Sequence, residues 1–302
     1  MKLLLGADGF IGKNLHADIR ISRKDADLRD PNALRKIIDI YRPQTVISCA
    51  GVHSFFSSAT SQNHTDVLFS NLRIDMNVIE CCLEFEVPNL ILLSSTSALG
   101  GHPAKPFITE QDRLVPDPSD FRFFGYATSK IVQPDLCRAA AMTYGLNYRS
   151  IYLGNMYGPH ARFNKESTAI ASIFYQILEA KINDLSHVSF FGDGLVRRNW
   201  TYIGDLRQIL DSLIEIKSNS NPVIVSSMEI HNLRYVSKKI ADSLGYVGDL
   251  IFQNSEEGIP TADRIVSNEN LLSEIGPFEF TNLESGIFQT AEWIARHPIF
   301  PR

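Results

Sequence analysis

Met1-Lys2-Leu3-Leu4-Leu5 runs directly into Gly6-Ala7-Asp8-Gly9-Phe10-Ile11-Gly12, and the fold follows from these twelve residues. A short apolar run that ends in glycine reads as a buried parallel strand. Phe10, Ile11, Leu15 and Ile19 then recur at helical spacing, which predicts a helix over Phe10 to Ile19. Between strand and helix stand three glycines at three-residue intervals. Glycine there permits the tight turn and lets backbone N–H groups approach a pyrophosphate with no Cβ in the way. A helix starting near Phe10 turns its positive end toward those phosphates. A Gly-rich turn alone is common, but strand, loop and helix in this order are the context that a dinucleotide site requires. Gly6, Asp8, Gly9, Phe10, Ile11 and Gly12 are therefore candidate cofactor contacts.

Beyond this loop the alternation continues. Asp30 and Pro31 open a helix to Tyr41 as N-cap and first helical residue. Thr45 to Ala50 reads as a strand, Leu68 to Glu86 as a long helix, and Leu90 to Ser95 as a strand. Tyr126 to Tyr144 is a helix and Tyr148 to Leu153 a strand. Parallel βαβ units of this kind predict an α/β fold, a doubly wound parallel sheet of the Rossmann type. After residue 158 the pattern loosens, with helices over Ala169–Ala180 and Ile203–Ile216 and a strand over Val188–Phe191. We expect residues 1–158 and 188–222 to form the dinucleotide-binding domain. Residues 159–187 and 223–302 would then form a smaller mixed α/β substrate-binding lobe.

At 302 residues, two closely associated lobes are a better expectation than one core. The 44% hydrophobic and 21% charged fractions exclude disordered, collagen-like and coiled-coil chains. No run of about 18 apolar residues exists, so no spanning helix is expected. Met1–Leu5 falls short of the 7 to 15 apolar residues of a leader h-region. Cys49, Cys81, Cys82 and Cys137 lack metal-ligand spacing, and the adjacent pair suits no ordinary disulfide, so a reduced, cytoplasmic protein without metal is expected. A net charge of −5 gives no footprint for nucleic acid.

The second strand normally ends in a carboxylate when the cofactor is NAD, which accepts from the ribose 2′-hydroxyl. Here the stretch is Ile19-Arg20-Ile21-Ser22-Arg23-Lys24-Asp25. Arg23 and Lys24 suit a 2′-phosphate and favour NADP, while Asp25 leaves NAD open. Tyr126-Ala127-Thr128-Ser129-Lys130 sets a phenol and an ammonium four residues apart, on one helical face. A phenol titrates near 10. A cation at about 4 Å and an effective dielectric of about 20 contributes up to roughly 4 kcal/mol, about three pKa units, which suits a phenol for general acid work. The strand end Ser94-Ser95-Thr96-Ser97 lies where ligands of such sheets bind, and a hydroxyl there can donate to a developing oxyanion. Ser95 is the preferred donor and Thr96 its competitor.

Together, Gly6–Gly12, Ser95, Tyr126 with Lys130, and Asn155-Met156-Tyr157-Gly158-Pro159 resemble the extended short-chain dehydrogenase/reductases. The nearest branch is the GDP-L-fucose synthases, the epimerase/reductases of GDP-4-keto-6-deoxymannose. Tyr148-Arg149-Ser150, Gly192-Asp193-Gly194 and Arg197-Arg198-Asn199-Trp200 with Asp205 add to that resemblance, which covers most of the chain and fades after about residue 220. It implies a catalytic trio of Ser95, Tyr126 and Lys130, with Lys130 also at the nicotinamide ribose. It places Asp27 and Leu28 at the adenine, and Cys49, Ala50, Gly51, Asn71 and Leu153 along the cofactor. Thr96, Asn155 and Arg198 fall to a nucleotide-sugar substrate. Arg198 as a bidentate diphosphate ligand competes with a plain surface ion pair. A homodimer through the helices around residues 68–86 and 126–144 is implied by resemblance alone.

Two departures shape the expected reaction. Fucose synthases carry a Cys two residues after the serine and a His after the Tyr-Gly-Pro turn, which exchange protons beside the ketone. The matching positions here are Ser97 and Ala169. A lone hydroxyl is too weak a base for that step, and alanine carries no proton. His160 reads as a loop histidine, and Trp200 with Phe121, Phe123 and Phe124 as packing. The expectation is NADPH-dependent reduction of a C4 ketone on a nucleotide-linked deoxy sugar, without epimerisation. A NAD-dependent 4-epimerase, a full epimerase/reductase and a non-catalytic cofactor sensor are the alternatives. A 4,6-dehydratase would need a carboxylate where Thr96-Ser97-Ala98 has none.

Overall fold

The computed structural model describes residues 1–52, 64–100, 107–115, 124–217, 220–253 and 263–300. Phe121 and Phe123 fall outside them. The first half alternates as expected: β1 (Lys2–Leu5), α1 (Phe10–Asn14), β2 (Ile19–Ile21), α2 (Pro31–Tyr41), β3 (Thr45–Ser48), α3 (His64–Glu84), β4 (Asn89–Ser95), α4 (Phe124–Tyr144) and β5 (Asn147–Leu153). The rest comprises β6 (Asn155–Tyr157), α5 (Ala169–Ile182), β7 (His187–Phe191), β8 (Arg197–Tyr202), α6 (Gly204–Glu215) and β9 (Val223–Val225). β10 (Ile230–Asn232), α7 (Leu233–Leu244), β11 (Asp249–Gln253), α8 (Glu269–Ile275) and α9 (Leu283–Arg296) complete it.

The main sheet has the order β2-β1-β3-β4-β5-β9, with every pair parallel. Its apolar runs are buried on both faces, and the two-residue period decides which face each residue serves. Leu3, Leu5, Val46, Leu90, Leu92 and Tyr148 pack with α2, α3 and α4 on one side. Leu4, Ile47, Ile91, Leu93, Ile151 and Leu153 pack against Leu206, Ile209, Leu210 and Leu213 of α6 on the other. Because β2 and β3 flank β1 on opposite sides, a crevice opens at the carboxyl ends of β1 and β3.

The second lobe is built around a three-stranded sheet, β10-β8-β6, and the pair β11-β7. Its core joins Phe174 and Ile177 of α5, Trp200 of β8, Val236 and Ile240 of α7, and Leu283 and Ile287 of α9. Several stretches cross the expected domain division, among them β6 and β8, which lie in the second lobe's sheet, and α8, whose Leu271 is buried with α6 under the main sheet. β7 pairs with β11, Val188 and Phe190 being buried in the second core, while β9 pairs with β5 at the edge of the main sheet. The first helix is also shorter than its periodicity predicts. It ends at Asn14, Leu15 is extended and buried among α6 residues, and Ile19 opens β2 instead. Among the described residues no helix is long and apolar enough to cross a membrane.

Candidate active site

The glycine loop owes its shape to close backbone approaches. Gly6 has φ +89°, and a Cβ there would stand 2.8 Å from Ala50 N. A Cβ on Gly12 would come within 2.2 Å of the Gly6 carbonyl oxygen. Gly6 and Ala7 both donate to Ile21 O, at 2.9 and 3.0 Å, which ties the loop to β2. Arg20 closes the carbonyl end of α1: its guanidinium donates to Gly12 O at 2.9 Å, to Ala7 O at 3.4 Å and to Leu15 O. These carbonyls face the arginine and the Gly6 and Ala7 amides face β2, while Asp8 and Gly9 line the crevice.

A cavity of about 400 Å³ opens over the loop, lined by Gly6, Asp8, Gly9, Arg23, Asp27 and Leu28 and continuing to Cys49, Ala50 and Gly51. Arg23 lines it and Lys24 does not. Asp25 is spent inside its own turn, accepting from Ser22 N at 2.8 Å and Ser22 Oγ at 2.7 Å, and these bonds hold its carboxyl below the usual range. Arg29, which sequence reasoning missed, also lines the cavity. It is locked on Asp27 by bonds of 2.9, 3.1 and 2.5 Å, and that pairing pulls the Asp27 carboxyl down to about 2.

A second cavity, of about 480 Å³, shares Cys49 through Val52 with the first, so one groove crosses the sheet edge. Phe10, Ile11, Ser95, Thr96, Tyr126, Lys130, Leu153, Asn155 and Arg198 all line it. Ser94 also lines it, but its hydroxyl is engaged, donating to Lys130 O at 3.3 Å. Ser95 Oγ accepts from Ser97 N at 3.1 Å and from Ser97 Oγ at 2.9 Å. With both bonds accepted, the Ser95 proton is left to donate outward. Lys130 is buried at 4% exposure, with Nζ 3.4 Å from Leu93 O.

Two expected cofactor contacts have other work. Gly12 is enclosed by the loop itself. Asn71 accepts from Val52 N at 2.7 Å and donates to Val52 O at 3.0 Å and Ser129 Oγ at 3.2 Å, so it fastens the chain after β3 to α4. A Cβ on Gly51 would lie 3.4 Å from Asn71 Oδ1 and 4.0 Å from Lys130 Nζ. A dinucleotide therefore fits, because the backbone is bare along the path it would take from loop to ammonium. Cys49 offers no nucleophile. Its Sγ donates to Leu5 O and Gly6 O, and burial pushes its thiol up to about 12.

On the substrate side, Arg198 sits beside Arg264. Burial first, and Arg264 second, push the Arg198 guanidinium down to about 10. Arg264 donates to Thr96 O at 3.0 Å and Leu99 O at 2.6 Å, and so holds the segment after Ser95. It was missed because it lies in the polar last third, where nothing but its bridge to Arg198 marks it. Ser97 and Ala169 both line this cavity. His160 lies elsewhere, edge-on to Trp293 at 4.8 Å. Trp200 is buried in the second core, donates to His231 O at 3.0 Å, and shows one edge to the cavity.

The profile of the NAD dependent epimerase/dehydratase family matches residues 2–225. The chain belongs to this family. Within it, a GDP-L-fucose synthase of Sinorhizobium fredii is 28% identical over 273 residues, covering 89% of this chain and 85% of that protein. A GDP-L-fucose synthetase of Naegleria fowleri, solved bound to NADP, superposes with a TM-score of 0.84 at 24% identity, covering 98% of this chain and 93% of the other. A GDP-mannoheptose C4 reductase of Campylobacter jejuni, with NADP bound, gives 0.82 at 20% identity, with 97% and 98% covered. The family match spans the glycine loop, the Tyr126–Lys130 helix and the strands up to β9.

Proposed function

We propose that the protein is an NADPH-dependent reductase of a C4 ketone on a nucleotide-linked 4-keto-deoxy sugar, working without epimerisation. One observation carries the reading. Ser95, Tyr126 and Lys130 line a single cavity, and the two side chains that line it where proton exchange beside the ketone would occur are Ser97 and Ala169. The NADP-bound neighbours and the C4 reductase among them support both the cofactor and the reaction. So does the turn after β2, where Arg23 faces the cavity and Asp25 is engaged with Ser22.

A reduced nicotinamide dinucleotide held along Gly6, Gly9 and Gly51 would supply the hydride for the carbonyl carbon. Tyr126 gives its phenolic proton to the carbonyl oxygen, and Ser95 donates a hydrogen bond to that oxygen as charge builds on it. Lys130, buried one helical turn beyond Tyr126, provides the positive charge that favours release of the phenolic proton. Arg198 and Arg264 set two cations side by side, which suits a diphosphate between them. The same proposal takes the homodimer through α3 and α4, which expose Phe69, Met76 and Met142.

The test offers NADPH with GDP-, dTDP- and UDP-linked 4-keto-6-deoxy sugars in D₂O and follows cofactor oxidation and the product by NMR. Oxidation with at least one of them, and product without deuterium at C3 or C5, is the expected outcome. Deuterium entering either carbon at the rate of turnover would reverse the reading in favour of an epimerase/reductase.

A further inference from the structure

We propose that Asp75 is the buried counter-charge of Lys130, a positioning residue that keeps the Tyr126–Lys130 pair in its fully protonated, proton-donating form. The proposal rests on the catalytic reading of that pair. Its structural half can be tested without turnover.

Lys130 lies on α4 at 4% exposure, and Asp75 lies on the facing α3 at 1%. The Nζ bond to Leu93 O at 3.4 Å satisfies a donor but neutralises nothing. An ammonium shut away from water loses its proton unless an opposite charge is near. Asp75 is held in place by Gln133, three residues after Lys130 on the same helical face, whose Nε2 donates to Asp75 Oδ1 at 2.9 Å. Gln133 is fixed in turn by Ser150 Oγ at 3.3 Å. Asp75 Oδ2 has no hydrogen-bond partner among the described residues. A buried carboxylate oxygen left bare is costly as local structure, and is accounted for if its charge is what the site uses.

Burial pushes the Asp75 carboxyl up, while the charge of Lys130, and after it the Gln133 bond, draws it back down. The other titratable or charged groups that face this region are Cys49 after β3, Tyr126 and Cys137 on α4, and Arg149 of β5 beyond Cys137. Burial keeps both thiols neutral, and Asp75 is the carboxyl among these groups, the one whose charged form Lys130 favours.

The sign of the effect follows from charge alone. Removing a negative charge makes every neighbouring proton easier to lose. The reductive form needs its proton on both Tyr126 and Lys130. In Asp75→Asn, the basic limb of the pH profile of kcat/KM for ketone reduction should move toward acid by about one unit. Asp75→Glu, which restores the charge, should keep the limb where the parent has it. A merely structural aspartate would lower the whole profile without displacing it, and that result overturns the proposal.

Thermal unfolding supplies the arm that needs no activity. Asp75→Asn should lower Tm in the parent, where it strands the ammonium. It should raise Tm by about 3 °C or more in a Lys130→Met background, where it removes a stranded carboxylate. Equal shifts of one sign in both backgrounds overturn the proposal. Should the single Asn variant fail to fold, Lys130→Met against Lys130→Met/Asp75→Asn still decides the sign. Loss of reduction in Tyr126→Phe tests the catalytic reading separately, so the two can fail independently.

Discussion

Tyr126→Phe removes one oxygen and leaves the ring, so cofactor binding should persist while kcat falls by about 10²- to 10⁴-fold, the usual worth of a placed general acid. Single-turnover oxidation of NADPH, beside a fluorescence titration of the same cofactor, separates the two effects. Arg23 is the side chain of the β2 turn that faces the cofactor cavity, and it should discriminate at the 2′-position. A hydrogen bond to a charged group is worth about 1.5–3 kcal/mol, so Arg23→Ala should raise KM for NADPH by about 10- to 100-fold and hardly touch that for NADH. Ser97 and Ala169 invite the opposite manipulation, because both side chains already line the cavity. The Ser97→Cys/Ala169→His pair should introduce deuterium exchange beside the ketone above the parent's background, read by proton NMR.

Helices and strands differ sharply in how readily the sequence announces them. β1, β3, β4 and β5 are near-continuous apolar runs because the sheet is covered on both faces, and such runs stand out. β6 and β8 read Asn-Met-Tyr and Arg-Arg-Asn-Trp-Thr-Tyr, short and polar, and their pairing joins residues more than forty apart. β9 has three residues and is defined by β5, so no local pattern could assign it to the main sheet. The same division runs through the site. Tyr126 and Lys130 could be picked out because their spacing is local, and Ser95 because it ends a readable apolar strand, whereas Arg264 and Asp75 matter only through partners on other elements. The five-residue α1 shows how packing overrides periodicity, since Leu15 gains more from the core than from another helical turn. So short a helix contributes little dipole, and the loop backbone itself is what lines the cavity. Gly12→Ala should therefore weaken NADPH binding at least tenfold with the far-ultraviolet dichroism preserved, because the 2.2 Å clash is with backbone that has to shift.

Over the whole molecule, the C-terminal segment is anchored to the main sheet by charge in a dry place. Arg149 of β5 is 1% exposed and meets Glu274 of α8 at 2.7 Å. Removing one partner of such a pair costs about 3–5 kcal/mol, and replacing both with apolar residues recovers much of it. Urea unfolding of Glu274→Ala and of Arg149→Met/Glu274→Leu should show that contrast with little change in m.

The sheets are also joined where the groove is deepest. Gly154 N bonds to Val225 O at 3.0 Å, Asn155 reaches Asn199 O at 3.0 Å, and Asn199 and Asn268 hold Ser227 O and Ser226 O at 2.8 Å each. The chain passes from one lobe to the other at both Gly154 and Ser226, so the halves are bound like pages at a spine. The two crossings and their hydrogen bonds therefore fix the halves to each other along one side.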